Sequence, residues 1–338
     1  MTGKEIIKRI INHDNPPRIG MSFSEPWPND IQVVPGVCYR PESLPQQFRE
    51  WGRYPELVSQ VPWFDGEVRL DDYGNIYGRL NQMTKGECVK GALDDWSKLA
   101  DYRLPVPDEE YYTELKKQLA DCDKYVVAIL PVSAFSTIRD LRLIDNALMD
   151  TALEPENLKT FLDMITELDC GICQSMAGIG VDAVMLYDDW GTQDRTLIGL
   201  ESFTEIFLPV YEKICQTAHD NGMHVILHSC GKNHLFVEPL CEAGINVFQF
   251  DQPNAYPAGW LAENFGQKAA FFMPVDIQQV MPTGDKAFIE SSARELVEVF
   301  RSHGSALIVK DYAPWSDICV EEEWAGWAKD VIVEMAKN

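Results

Sequence analysis

One feature constrains this chain more than any other. Its second half repeats a unit five times: an amphipathic helix ending at a glycine, a short apolar strand, then polar residues. The first copy is a helix near 157–177, Gly180, then VDAVMLY ending in Asp188 and Asp189. The second is a helix from about 202, Gly222, then MHVIL ending in His228, Ser229 and Cys230. The third runs FVEPLCEAG to Gly244, then INVFQF to Asp251 and Gln252. The fourth runs WLAENFG to Gly266, then KAAFFMPV to Asp276. The fifth is a helix near 287–303, Gly304, then SALIV to Lys310, Asp311 and Tyr312.

Each glycine suits the left-handed position just past a helix C-terminus. Ser202 and Glu205 have the spacing of a capping box opening the second copy's helix. The strands are nearly continuous apolar runs, as in a parallel sheet buried on both faces. RIGMSF (18–23) and YVVAILP (125–131) add two more, making seven, and an eighth would close a barrel. A doubly wound sheet would want a glycine-rich phosphate turn after its first strand. None follows RIGMSF, and Gly178 and Gly180 precede a strand instead. The expected fold is therefore α/β, a (β/α)8 TIM barrel spanning residues 1–338 as one domain. Residues 26–80 form its irregular N-terminal region, containing a β-hairpin in EVRLDDYGNIYGRL with its turn at Tyr73, Gly74 and Asn75.

In such a barrel the active site lies at the C-terminal ends of the strands. The polar residues there are the candidates, and His228 and Cys230 are the sharpest pair. Residues i and i+2 of a strand share a face, so imidazole and thiolate could grip one zinc ion. The competing reading is a buried cysteine beside a hydrogen-bonded histidine. A third ligand is needed, and Cys319, past the last strand, could return to the mouth. Cys241 sits inside a helix and suits the role less. Asp188 and Asp189 could bind a cation, orient a substrate or share a proton, though only one should face the barrel axis. Equally, an aspartate there could cap free loop N–H groups. Gln193, Asp251, Gln252, Asp276, Gln278 and Tyr312 are the candidate cavity lining. Cys170 and Cys173 fall inside a helix whose apolar face runs Leu158, Phe161, Ile165, Leu168, Ile172, Met176, so they read as packing. Trp190 also reads as packing, and His13, His219, His224, His234 and His303 as surface or cap residues.

Charge narrows the partners. With 29 Lys+Arg against 53 Asp+Glu, the net charge is −24. No basic cluster offers a footing for nucleic acid or an anionic membrane. No apolar run reaches the length of a membrane span. The N-terminus lacks the apolar core of a signal peptide, and nine scattered cysteines suit a reducing compartment. The expected location is cytoplasmic. An oligomer is compatible with the sequence.

LHSCG (227–231), EAGINVFQFDQ (242–252), LAENFG (261–266) and VDIQQVMPTG (275–284) together resemble the uroporphyrinogen decarboxylase superfamily. DDYGNIYGR (71–79) and LDDWSKLADYRLPVPD (93–108) resemble its corrinoid-linked methyltransferases. The resemblance covers the chain from RIGMSF onward and implies a (β/α)8 barrel. It implies an enzyme that moves a methyl group between a corrinoid and a small-molecule or thiol partner, assisted by zinc. His228 and Cys230 match the H-x-C of the family's zinc sites. The family's later cysteine sits in a P-G-C-type loop, which by register falls near Pro314 and Trp315. Cys319 lies downstream of it, so Cys319 fills the third place, or an acid such as Asp188 does, or no zinc binds. No D-x-H-x-x-G-type cobalamin loop is present, so the corrinoid would ride on a separate protein. The first alternative is a metal-free decarboxylase. Gly52-Arg53-Tyr54 only echoes that branch's arginine loop, and DYAPWSDIC lacks its C-terminal histidine. The second is a non-catalytic barrel that binds a corrinoid protein.

Overall fold

The structure is a computed structural model that describes residues 1–337 except 257, 305 and 313. Ser305 opens the last strand read from the sequence and Ala313 belongs to the C-terminal loop; both lie outside the described residues. The barrel strands are β1 (Gly20–Ser22), β2 (Ile31–Pro35), β6 (Tyr125–Ile129), β7 (Ala183–Tyr187), β8 (His224–His228), β9 (Val247–Gln249), β10 (Ala270–Met273) and β11 (Leu307–Lys310). They form one sheet in the order β1-β11-β10-β9-β8-β7-β6-β2, with every ladder parallel. Helices between them cover the outside. The expected TIM barrel is the observed fold.

The eighth strand is IQVVP, inside the stretch read as irregular. No helix leads to it. After β1 the chain doubles back alongside, with Phe23 N donating to Pro28 O (3.2 Å) and Asp30 N to Met21 O (2.8 Å). β2 then climbs from Asp30, whose carboxylate accepts both Arg18 guanidinium nitrogens at 2.7 and 2.8 Å and Met21 N at 3.0 Å. That antiparallel return segment seals the seam between the sheet's end strands. The expected hairpin is present as β3 (Glu67–Leu70) and β4 (Ile76–Arg79), joined by β5 (Glu87–Lys90) in a separate antiparallel sheet. The Asp71 carboxylate closes its turn by accepting Tyr73 N at 2.9 Å and Asn75 N at 2.8 Å.

Two local expectations fail. Gly180, Gly222, Gly244 and Gly304 have positive φ, but Gly266 does not; its N–H simply continues the helix pattern to Ala262 O at 3.1 Å. Ser202 makes no capping bond. It lies within a helix that starts at Leu200 and passes through a π-helical stretch, Phe203–Phe207. Pro209, in the first turn of Leu208–Asp220, has no N–H to donate, which favours that widened turn just before it.

The strand period sets the interior. Tyr125, Val127, Ala183, Met185, Ile226, Val247, Ala270, Phe272 and Ile308 face inward and pack in one cluster. The N-terminal helix, Gly3–Ile11, adds Ile6, Ile7, Ile10 and Ile11 to that cluster. It plugs the barrel at the strands' N-terminal ends, where Lys4 and Lys8 meet Asp182 at 3.0 and 2.8 Å. The other end stays open.

Candidate active site at the barrel mouth

Continuing the same parity upward brings Tyr187, His228, Gln249 and Lys310 to the lumen as the apolar layer ends. One step beyond come Asp189, Cys230 and Asp251. His228 Nε2 lies 3.4 Å from Cys230 Sγ and 3.5 Å from Asp189 Oδ1. One donor atom from each of Asp189, His228 and Cys230 falls within 4.8 Å of the others. Tetrahedral zinc with ligand bonds of about 2.0–2.3 Å holds its donors about 3.3–3.7 Å apart, so these positions fit that ion.

Neighbours hold the group in place. His228 Nδ1 is bonded to Gln249 Oε1. An amide oxygen only accepts, so Nδ1 carries the proton and Nε2 presents its lone pair to the cluster. Gln249 Nε2 donates to Asp251 Oδ1, which also accepts Lys310 Nζ at 2.7 Å. A continuous polar string thus runs from β8 to β11. Asp189 Oδ1 accepts Cys230 N at 2.8 Å, tying the loops after β7 and β8 together. Those loops touch backbone to backbone. A Cβ on Gly231 would come within 2.2 Å of Gly191 O, and Gly231 has φ +73. Glycine there lets Cys230 approach Asp189. Without a cation, burial and the Asp189 and Asp251 carboxylates push the Cys230 thiol up to about 12.

The other candidates divide. Asp188 points out of the barrel, fully buried. It accepts Phe135 N at 3.0 Å, Ser136 N at 2.7 Å and the Tyr211 hydroxyl, anchoring the start of the helix Ala134–Arg142. Burial raises its pKa against those bonds. Gln252 Oε1 accepts Gly231 N at 2.8 Å, supporting the Cys230 loop. Asp276 is buried and caps its own turn through Gln278 N (2.9 Å) and Gln279 N (2.6 Å). Gln193 and Gln278 are exposed. Tyr312 is half-buried, its ring 5.6 Å from Lys310 Nζ.

Cys319 stands apart from the cluster. It ends the turn Trp315–Ile318 in left-handed backbone (φ 56), exposed, and lines a separate cavity with Trp27 and Lys329. Among the described residues the third donor beside His228 and Cys230 is Asp189. Gln249 and Tyr187 were not among the sequence candidates. The period would have found both, since each precedes a candidate by two positions. Trp190 packs in a buried aromatic cluster with Phe135, Phe203, Phe207 and Phe236, as its sequence context suggested.

A family model described as uroporphyrinogen decarboxylase (URO-D) matches residues 111–310, more than half of the chain. The chain belongs to this family. The matched span runs from the helix before β6 through β11, so it takes in the whole cluster. Among solved structures, this uroporphyrinogen decarboxylase-family barrel is similar to a methyltransferase from Methanosarcina mazei. The two are 16% identical over 82% of this chain and 77% of that one, with a TM-score of 0.55. That likeness shows the fold. A D-psicose 3-epimerase with D-tagatose from Clostridium cellulolyticum H10 is more remote: 12% identical, 71% and 86% covered, TM-score 0.41. No curated protein matches the chain by sequence. Among the described residues no helix is long and apolar enough to cross a membrane.

Proposed function

We propose that this family member is a zinc-assisted methyltransferase, moving a methyl group between a corrinoid on a separate protein and a small-molecule or thiol partner. The observation that carries the reading is the convergence of a nitrogen, a sulfur and a carboxylate oxygen at the open mouth. Asp189, His228 and Cys230 would hold the ion, leaving a fourth position for the partner. Zinc bound there would keep a thiol ionised at neutral pH and so nucleophilic.

The chain's own residues supply positioning. Gln249 fixes the ring and proton of His228, while the Cys230 N–H fixes Asp189. The Asp251–Lys310 pair presents charge on the facing wall, where it can orient a polar substrate. Methyl transfer is a direct in-line displacement, so alignment supplies most of the rate. Asp188 acts as an anchor for the helix behind the site.

The test is elemental analysis of the purified protein beside His228→Ala, with methylcobalamin demethylation by a thiol followed by absorbance. The reading expects about one zinc per chain in the parent, none in the variant, and demethylation only in the parent. No metal in either protein after reconstitution under reducing conditions overturns it. Turnover of a carboxylate by that metal-free protein would favour decarboxylation instead.

A further inference from the structure

The mouth has a second compartment, over β2 and β6. Val33 and Pro35 continue the inward face of β2 that starts at Ile31, and Val33 is 48% exposed. They line a cavity of about 690 Å³ whose walls also include Val37, Leu44, Ile129 and Leu130. β7 lies between this compartment and His228 on β8, and Tyr187 at the end of β7 has its ring 4.8 Å from that of His228.

The polar ends on this wall are unusually one-sided. Tyr73 donates its single hydroxyl proton to Pro131 O at 2.9 Å. In its 3.0 Å contact with Tyr39, the Tyr39 hydroxyl must therefore be the donor. Both phenolic protons are spent within the wall, and what Tyr39 still offers is an accepting oxygen. Asp72 only accepts and is tied to Arg49. Among the described residues, no Lys, Arg or His lines the cavity.

We infer that this compartment binds the apolar body of an uncharged substrate carrying one hydroxyl or N–H donor, and that it rejects anions. An anion would meet two accepting oxygens, a carboxylate and hydrocarbon, and the nearest cation, Arg49, is already committed to Asp72. A donor group would complete the unused valence of Tyr39. The inference deepens the reading above, resting on it only for what happens at the reacting end.

The probes are benzyl alcohol, toluene and benzoate, which share a ring and differ in the head group. Binding is read by ligand-observed NMR on the parent, Tyr39→Phe and Val33→Asp, with zinc content measured on the same samples. Benzyl alcohol should bind the parent about five- to tenfold more tightly than toluene, and benzoate should show no saturable binding. Tyr39→Phe should erase the alcohol's advantage while leaving toluene unchanged. Val33→Asp should weaken both neutral probes at least about tenfold. Benzoate binding as well as the alcohol, or an alcohol advantage that survives in Tyr39→Phe, overturns the inference. Selective binding in a zinc-free parent would sustain it while removing the proposed methyl transfer. A zinc-loaded parent without selectivity would do the reverse.

Discussion

The two ends of one strand show how this barrel separates stability from chemistry. β7 is flanked by Asp182 below and by Asp188 and Asp189 above. Asp182 is 5% exposed and saturated: Lys4 at 3.0 Å, Lys8 at 2.8 Å and Val126 N at 2.9 Å. Asp188, pointing outward, is saturated by a helix start and a tyrosine. Asp189, pointing inward, has a side chain 39% exposed, and its Oδ1 takes the Cys230 N–H at 2.8 Å. Below, Asp182 is neutralised by two lysines of the plug, whereas above, Asp189, His228 and Cys230 turn toward one another at the open end. A buried polar group without a partner costs stability, so groups left open are placed where water or a ligand can reach them.

The sharpest way to break this contrast is at the mouth. Cys230→Ser should lower methyl transfer by about a thousandfold or more, if the sulfur holds the ion that carries the reaction. Thermal stability of the metal-free protein should hardly change, since Cys230 is only part-buried. A comparable loss of stability and activity would mean the mouth also holds the fold together. The converse substitution is Ile7→Ala in the plug. Ile7 is fully buried against the barrel interior, so its truncation should cost about 2–5 kcal/mol in denaturant unfolding. Zinc stoichiometry of the folded fraction should stay unchanged. A variant that folds normally would show that the helix is an ornament on a self-sufficient barrel.

Acid should act on the plugged end. His224, at the foot of β8, binds the Tyr125 hydroxyl through Nδ1 at 2.7 Å. Burial, with His219 and Lys8 nearby, depresses its pKa from 6.5 to about 4, against an opposing pull from Asp182. The unfolded chain therefore takes up this proton first. The stability from a neutral His224 is complete above about pH 6.5 and drains away as the pH falls toward 4. The full difference is worth at most about 3 kcal/mol, less whatever residual solvent contact restores. Unfolding free energies of the parent and His224→Gln, compared between pH 7 and pH 4, should converge toward the acid side. Parallel curves would show that His224 contributes no linkage.

Legibility followed periodicity. The five repeated units were plain because each helix, glycine and apolar strand repeats one physical pattern. IQVVP escaped because it follows a return loop instead of a helix, and Pro28 and Pro35 mark it as a turn-rich stretch. At the mouth, the H-x-C spacing placed His228 beside Cys230, since both obey the strand's two-residue alternation. The same rule implied that only one of Asp188 and Asp189 faces the axis, but register alone decided which. Cys319 was placed by chemistry without geometry. Its loop carries no period, so nothing in the sequence revealed that the turn Trp315–Ile318 aims it away.

Gln249 offers the finest test of the contrast, because it touches no candidate zinc donor except through His228. Its amide joins the His228 ring to Asp251, so Gln249→Leu would remove both bonds while keeping the side chain's bulk. His228 would then lose the acceptor that fixes its proton on Nδ1, and the lone pair on Nε2 would be presented less often. Partners of this kind typically change metal affinity by about 10–100-fold. Competition with a chelator should therefore show zinc held that much more weakly, with stoichiometry unchanged at saturating metal. Gln249→Glu separates orientation from mere occupancy: its carboxylate still accepts from Nδ1, so affinity should return. If both variants weaken zinc equally, then Gln249 serves the packing of the mouth instead of the aim of the imidazole.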